Sequence, residues 1–144
     1  MAEAILAAAS PCWRSRFEVL TGPGPMHAAD ILLENQQQAA QIEIERALVD
    51  FQAQWRAANV KRESLSQRLG RPVVLILAVP DTTTVRRRLE PHEELISRAM
   101  PMRSREIWRT LRRCQRLDGD GLLFVRRRAA GQLSRRLADP ATRP

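Results

Sequence analysis

The sequence has no tyrosine, one lysine and two cysteines, and it contains no long apolar segment. The longest uninterrupted apolar run, Val73 to Val79, has 7 residues, whereas a membrane-spanning helix needs about 18 or more. Cys12 and Cys114 lie 102 residues apart without a CxxC pair, which is typical of neither a disulfide framework nor a zinc site. These absences predict a cytoplasmic protein without a membrane span, in which both thiols are reduced.

The length and the charge distribution predict a single domain followed by a basic tail. A chain of 144 residues can bury a core but is too short for two ordinary domains. The net charge of +8 is uneven: residues 1–60 carry −3, residues 61–125 carry +6 and residues 126–144 carry +5. We therefore expect one α/β domain over residues 1–125. Residues 126–144 are expected to form an arginine-rich tail that is either a frayed helix or disordered.

Two segments in the first third of the chain have the period-two alternation of an antiparallel hairpin. They cover residues 27–34 and 39–45, and the polar run Asn35 to Gln38 between them suits a four-residue loop. With that loop, Asp30 lies directly opposite Glu43, and their Cβ atoms are about 4.5–5.5 Å apart. Glu45 is the next neighbour on the same face.

The other elements predict a crossover around this hairpin. A short helix at residues 2–9 and a strand at 13–20 are expected before it. A helix from residue 46 to Gly70 should follow it, and then a strand at residues 73–79 that is covered on both faces. Because such crossovers are right-handed, this strand should lie parallel to the one that carries Glu43. Helices near residues 91–100 and 104–115 and a strand at 122–125 complete the prediction.

The facing acids are the feature that could carry chemistry. Carboxylates opposite each other on adjacent strands repel, so they need solvation, a raised pKa or a bound cation. Oxygen ligands without nearby Cys or His suit Mg²⁺ or Mn²⁺. Such an ion could hold a phosphate oxygen and activate a water, while Lys61 on the following helix contacts the phosphate or orients the water. The alternative is that Asp30, Glu43 and Glu45 form the solvated face of an ordinary hairpin.

This order of elements and acids resembles the core of the restriction-endonuclease-like superfamily, the PD-(D/E)xK phosphodiesterases. The resemblance covers about residues 2–80 and rests on Asp30 and on the run from Glu43 to Glu45. It implies an α-β-β-β-α-β core followed by C-terminal helices, with Asp30 and Glu43 as metal ligands. Glu45 stands where the family has a lysine. Some members carry that lysine on the next helix, as Lys61 would here, and Gln52 or Gln54 is similar to a helix glutamine of other members.

Arginines in the second half of the chain are candidate phosphate contacts, which would give salt-dependent affinity for DNA without sequence preference. The candidates are Arg86, Arg87, Arg88, Arg105, Arg109, Arg112 and Arg113. The alternative is a solvated surface without a binding role, because 23 of the 24 basic residues are arginine, a bias that a GC-rich genome alone would produce.

Together these features predict a Mg²⁺- or Mn²⁺-dependent nuclease-like domain that acts on DNA. Asp30 and Glu43, with Glu45 as a third ligand, would hold the metal, and Lys61 would support the developing charge. A second hypothesis is a non-catalytic nucleic-acid-binding or regulatory module that keeps a degenerate nuclease fold. A third is an accessory domain of a longer regulator.

Overall fold

The structure, a computed structural model, describes residues 1–22 and 28–126. Its fold is mixed α/β, with helices on both faces of a five-stranded sheet. The start of the predicted hairpin at His27 and the predicted tail beyond Arg126 lie outside the described residues. No helix in the described part of the chain is long and apolar enough to cross a membrane. In chain order the elements are α1 (Ala2–Ala8), β1 (Arg14–Leu20), β2 (Ala28–Glu34), β3 (Ala39–Ile44), α2 (Phe51–Leu69), β4 (Val73–Pro80), α3 (Thr83–Leu89), a 3₁₀ turn (Glu90–His92), α4 (Glu93–Ala99), α5 (Ser104–Arg113) and β5 (Gly121–Val125).

The hairpin of β2 and β3 has the predicted register. Ile31 lies opposite Ile42 in the ladder, which is the last pair before the acids, and strand alternation then puts Asp30 and Glu43 on the same face of the hairpin. The loop is closed by the Asn35 side chain, whose Oδ1 accepts the backbone N–H groups of the third and fourth loop residues at 2.9 and 3.0 Å. This local turn fixes the loop length on which the register depends.

The sheet has the strand order β1-β2-β3-β4-β5. β2 is antiparallel to both of its neighbours, β1 and β3, whereas β4 is parallel to β3 and β5 is parallel to β4. The predicted parallel crossover is therefore confirmed. As a result β3, β4 and β5 all have their carboxyl ends at one edge of the sheet.

Strand β4 is buried on both faces, as its continuous apolar sequence predicts. Ile76 and Ala78 pack in the cluster under α1 and α5. Leu77 and Val79 pack in the opposite cluster, which includes Phe51 of α2 and residues of α3 and α4. Because Glu43 lies beside Leu77 in the ladder, the acid-bearing face of the sheet is the one that α2 covers.

Two helices differ from the prediction. Helix α2 begins at Phe51 rather than at residue 46, because the Asp50 side chain accepts the N–H of Ala53 at 3.0 Å and caps the first turn. It ends as predicted at Gly70, whose φ of +63° is the left-handed conformation that glycine adopts without strain. Helix α3 was not predicted. It is capped by the Thr82 hydroxyl, which accepts the N–H of Val85 at 3.2 Å.

Cys12 and Cys114 form a disulfide with Cα atoms 6.2 Å apart, so the prediction of two reduced thiols is wrong. The Ser10 N–H donates to the carbonyl of Leu111 at 2.9 Å and holds the segment after α1 against the last turn of α5. The two cysteines meet because these distant segments pack together. Spacing along the chain carries no signal for such a contact.

Candidate functional site

The predicted acids lie around the carboxyl end of β3, beneath α2. Glu43 is 3% exposed, and Asp30 on the neighbouring strand is half-buried. Asp30 Oδ2 accepts the N–H of Ile44 at 2.7 Å, which holds this carboxylate against β3. The prediction that Asp30 and Glu43 share one face is confirmed by the register. The alternative of a fully solvated face is wrong for Glu43, because α2 covers it.

Lys61, the chain's one lysine, reaches this acid pair from α2. Its Nζ lies 2.6 Å from Glu43 Oε2, and the two side chains are 18% and 4% exposed, respectively. The helix can approach because Ala58, one turn earlier, is small and buried. The structure therefore places the predicted lysine on the predicted acid, where a buried carboxylate requires a counter-charge.

Gln41 is a further member of the site that the sequence analysis did not assign. It is fully buried, and its Nε2 donates to Glu43 Oε1 at 3.0 Å and to the carbonyl of Ala58 at 3.1 Å. Its Oε1 has no hydrogen-bond partner among the residues that the structure describes. A buried acceptor without a partner costs about 1–3 kcal/mol. The amide orientation is fixed nonetheless, since turning it over would set its oxygen against two other oxygens.

Glu45 follows β3 and is held by a glutamine on the first turn of α2. Its backbone N–H donates to the carbonyl of Ala78 at 2.9 Å, and its Oε2 accepts from Gln54 Nε2. The same Gln54 amide donates to the carbonyl of Ala47 at 3.0 Å and accepts the N–H of Val49 at 3.2 Å. Of the two candidate glutamines, Gln54 contacts an acid, whereas Gln52 is exposed.

The acids perturb one another's protonation. Burial raises the pKa of Glu43 above its ordinary value, and the charge of Asp30 raises it further, although Lys61 and Gln41 act in the opposite direction. Burial also raises the pKa of Glu45, with a contribution from Asp30 that opposes the hydrogen bond from Gln54. Shifted carboxyl groups close to a lysine are typical of sites that move protons or bind ions.

The donor atoms of this cluster suit a hard cation. They are the carboxylate oxygens of Asp30, Glu43 and Glu45, and Mg²⁺ and Mn²⁺ prefer oxygen ligands. Within residues 1–22 and 28–126, no group of three or more His, Cys, Asp or Glu side chains could hold a metal ion. An ion here would therefore use two carboxylates, and water and substrate would complete its coordination, as is usual for Mg²⁺.

The seven predicted arginines do not form one surface. Arg86 ion-pairs with Asp81 at 2.7 Å, Arg88 donates to the carbonyl of Leu48, and Arg87 is exposed on the same helix. The outer surface of α5 presents four exposed arginines, as predicted. These are Arg105, Arg109, Arg112 and Arg113.

Three of the predicted arginines do line one groove. Arg86, Arg105 and Arg112 line it together with Arg126, which belongs to the predicted tail. Asp81 and Phe124 also line this groove. These contacts join α3, α5 and the end of β5, and no local sequence pattern indicates which of the arginines meet.

No family model matches this chain, and neither a curated protein nor a solved structure shows significant similarity to it.

Proposed function

We propose that this chain is a divalent-metal-dependent, nuclease-like domain that hydrolyses phosphodiester bonds in DNA. The observation that carries the proposal is the 2.6 Å contact of Lys61 Nζ with Glu43 Oε2, on the sheet face that also bears Asp30. The order α1-β1-β2-β3-α2-β4 is the one expected of a restriction-endonuclease-like core, and it supports the same proposal.

Asp30 and Glu43 are the residues that would hold Mg²⁺ or Mn²⁺, and Glu45 stays a prediction as a third ligand. When bound, the ion supplies positive charge to the phosphodiester and lowers the pKa of an attacking water. Lys61 opposes the rise in the pKa of Glu43 that burial causes and so favours the ionised form, which is the one that binds cations. Gln41 and Lys61 together fix the Glu43 carboxylate, because each holds one of its oxygens.

Glu45 is suited to accept a proton in this reaction. It is half-buried, Gln54 holds one of its oxygens, and its pKa is raised, which moves a carboxylate towards the basicity that a general base needs. In the proposed reaction a Glu45 oxygen takes the proton of the attacking water while the water oxygen bonds to phosphorus and the bond from phosphorus to the leaving oxygen breaks. The leaving oxygen then takes a proton from solvent. The Lys61 ammonium lies close enough to the acids to stabilise charge on the phosphate.

A non-catalytic nucleic-acid-binding or regulatory module is the second candidate. The observation that favours it is that both oxygens of Glu43 and one of Glu45 already accept hydrogen bonds from side chains. A site whose acids are satisfied in this way could serve stability alone. An accessory role within a longer regulator is compatible with either candidate.

Cleavage of supercoiled plasmid DNA with Mg²⁺ or Mn²⁺ separates the two candidates. Asp30→Asn keeps an oxygen that can accept the Ile44 N–H, and Glu43→Gln keeps the shape of the buried side chain. Both should lose cleavage by about a hundredfold or more. The exposed Glu94→Gln variant removes the same charge from a surface ion pair and should cleave like wild type. The proposed nuclease activity is rejected if the wild type and all three variants cleave equally, or if the wild type cleaves with neither metal.

We propose the cytoplasm as the compartment, because the DNA on which the proposed nuclease would act lies inside the cell. The Cys12–Cys114 disulfide would then be exposed to a reducing thiol pool. Its state in cell extracts, measured by thiol alkylation before and after reduction, tests this assignment. A bond that is fully oxidised in freshly quenched cells contradicts it.

A further inference from the structure

A groove of about 1240 Å³ opens at the carboxyl end of β5, between α1, α3 and α5. Its charged lining consists of four arginines and two acids. The arginines are Arg86, Arg105, Arg112 and Arg126, and the acids are Glu3 and Asp81. The groove is thus predominantly positive, in contrast to the acidic cluster beneath α2.

Two of these guanidinium groups lie over aromatic rings in the groove wall. The Arg86 guanidinium carbon is 4.2 Å from the centre of the Phe124 ring, and that of Arg112 is 5.7 Å from the Trp108 ring. A guanidinium placed over a ring keeps its N–H groups at the edge available for a phosphate oxygen. The Trp108 ring therefore orients Arg112 towards an anion, whereas Arg86 already donates from Nε and Nη2 to Asp81 and offers its Nη1 group.

The wall itself is held in place by hydrogen bonds along the outer edge of β5. The Phe124 N–H donates to Ser104 Oγ at 3.0 Å, and its carbonyl accepts from Trp108 Nε1 at 3.2 Å. Asp81 accepts from Arg86 at 2.9 and 2.7 Å and from Arg126 at 3.4 Å. The hydrogen bond from Arg86 lowers the pKa of Asp81, so Asp81 stays charged and keeps both arginines in place at neutral pH.

The groove and the acids lie along the same edge of the sheet. Ala78 of β4 is opposite Ile44 on one side and Leu123 on the other. The next residues, Glu45 and Phe124, are therefore at the same level, two strands apart. At the usual strand spacing their backbones are separated by about 10 Å. The α1 and α5 walls of the groove belong to the sheet face opposite the one that α2 covers, so a polymer that contacts both the groove and the acids has to cross the carboxyl ends of β3, β4 and β5.

We propose that this groove holds the phosphate backbone of a nucleic acid strand beside the bond that the acids would cleave. The occupant is inferred from charge complementarity, since a row of oriented guanidinium groups matches a chain of phosphates and reads no base. The inference rests on the proposed function for the identity of the polymer, but binding in the groove needs no metal and is measurable without cleavage.

Fluorescence anisotropy with a labelled single strand of about 20 nucleotides, and with the matching duplex, tests the proposal. EDTA is present throughout, and NaCl is varied from about 50 to 200 mM. The groove variant is Arg105→Gln with Arg112→Gln. The control is Arg56→Gln with Arg98→Gln, which removes the same charge from exposed positions outside the groove.

We expect the groove variant to bind at least about tenfold more weakly at about 100 mM salt. For the single strand, the logarithm of the binding constant should depend less steeply on the logarithm of the salt concentration, with a slope smaller in magnitude by about 1.4, the value for two lost phosphate contacts. The control should change the affinity by less than about twofold. Equal weakening in both double variants, or none in the groove variant, overturns the inference. So does equally strong binding of a poly-glutamate peptide of matched charge, which would assign the groove to an acidic protein.

Failure of the groove proposal and failure of the proposed nuclease activity give different experimental results. A protein that binds DNA through the groove but cleaves none with Mg²⁺ or Mn²⁺ rejects the nuclease and keeps the groove. A protein that cleaves DNA, and whose groove variant binds and cleaves like wild type, rejects the groove and keeps the nuclease.

Discussion

Replacing Lys61 with methionine removes the positive charge that contacts Glu43 while keeping a flexible apolar side chain in its place. The pair joins side chains that are 18% and 4% exposed, at 2.6 Å. Removal of one partner from a buried ion pair costs about 3–5 kcal/mol, since the other charge stays buried. Lys61 retains some contact with water, so we expect the low end, about 3 kcal/mol at pH 8, or a hundredfold change in the unfolding equilibrium.

The loss of folding stability in Lys61→Met should be larger at high pH than at low pH. Burial and Asp30 already raise the pKa of Glu43, and Lys61 opposes them, so the variant has a still higher pKa. A carboxyl group whose pKa is higher in the folded protein than in the unfolded chain binds more protons when folded. The free energy of unfolding therefore falls as pH rises from the unfolded value through the folded one. The cost of Lys61→Met should therefore be smaller at pH 5 than at pH 8.

Urea unfolding monitored by tryptophan fluorescence at pH 5 and pH 8 measures both effects. With a urea slope of about 1.5–2 kcal/mol per molar, the midpoint at pH 8 should fall by about 1.5–2 M. Arg98→Met is the control, because its pair with Glu94 is exposed on both sides and contributes less than about 0.5 kcal/mol. Combining Lys61→Met with Glu43→Gln should recover most of the loss, since no unpaired charge is left.

Two outcomes refute this reasoning. A cost near zero at both pH values would mean that the pair is not buried as described. A cost that is the same at pH 5 and pH 8 would mean that Lys61 acts through its packing and not through its charge on Glu43.

Two further predictions concern the frame that holds the site. Reduction of the Cys12–Cys114 bond, or Cys12→Ser, should lower the free energy of unfolding by about 2–4 kcal/mol, because the bond closes a long loop in the unfolded chain. A thermal midpoint that dithiothreitol leaves unchanged contradicts this prediction. Gly121→Ala should cost more than about 2 kcal/mol, since a Cβ there would lie 2.5 Å from Ile107 Cδ1 and 2.8 Å from the Met102 carbonyl oxygen. The milder Gly119→Ala, whose Cβ would meet only the Pro101 ring, at 3.1 Å from Cγ and 3.8 Å from Cδ, is its control in the same melt. Equal midpoints for the two variants refute the packing argument.

The parts of the fold that the sequence predicts correctly are those set by local chemistry. Period-two alternation on both sides of the Asn35–Gln38 loop fixes which side chains share a face, and this determines the register of Asp30 and Glu43. The apolar run from Val73 to Val79 can be stable only with cover on both faces. Lys61 was expected near the acids from its place on the helix after β3 and from the resemblance, whereas the sheet face that α2 covers was not predicted.

The parts that could not be predicted depend on contacts between distant segments. Cys12 meets Cys114 only because α1 packs near the end of α5, and Arg86 meets Phe124 only because α3 packs beside β5. The role of Gln41 was also missed. Alternation places it on the acidic face, but only the approach of α2 at Ala58 shows that its amide is buried between a carboxylate and a carbonyl.

The most direct test of the central claim is the rate at which the wild-type protein and Asp30→Asn nick supercoiled plasmid DNA in Mn²⁺. Asp30→Asn is the informative variant because its side chain can still accept the Ile44 N–H, so that the fold of the hairpin is kept while one charge is removed. We predict metal-dependent nicking by the wild type that EDTA abolishes and a rate about a hundredfold lower in the variant. Equal rates in the two proteins, with matching unfolding midpoints, would contradict the assignment of this site to phosphodiester hydrolysis.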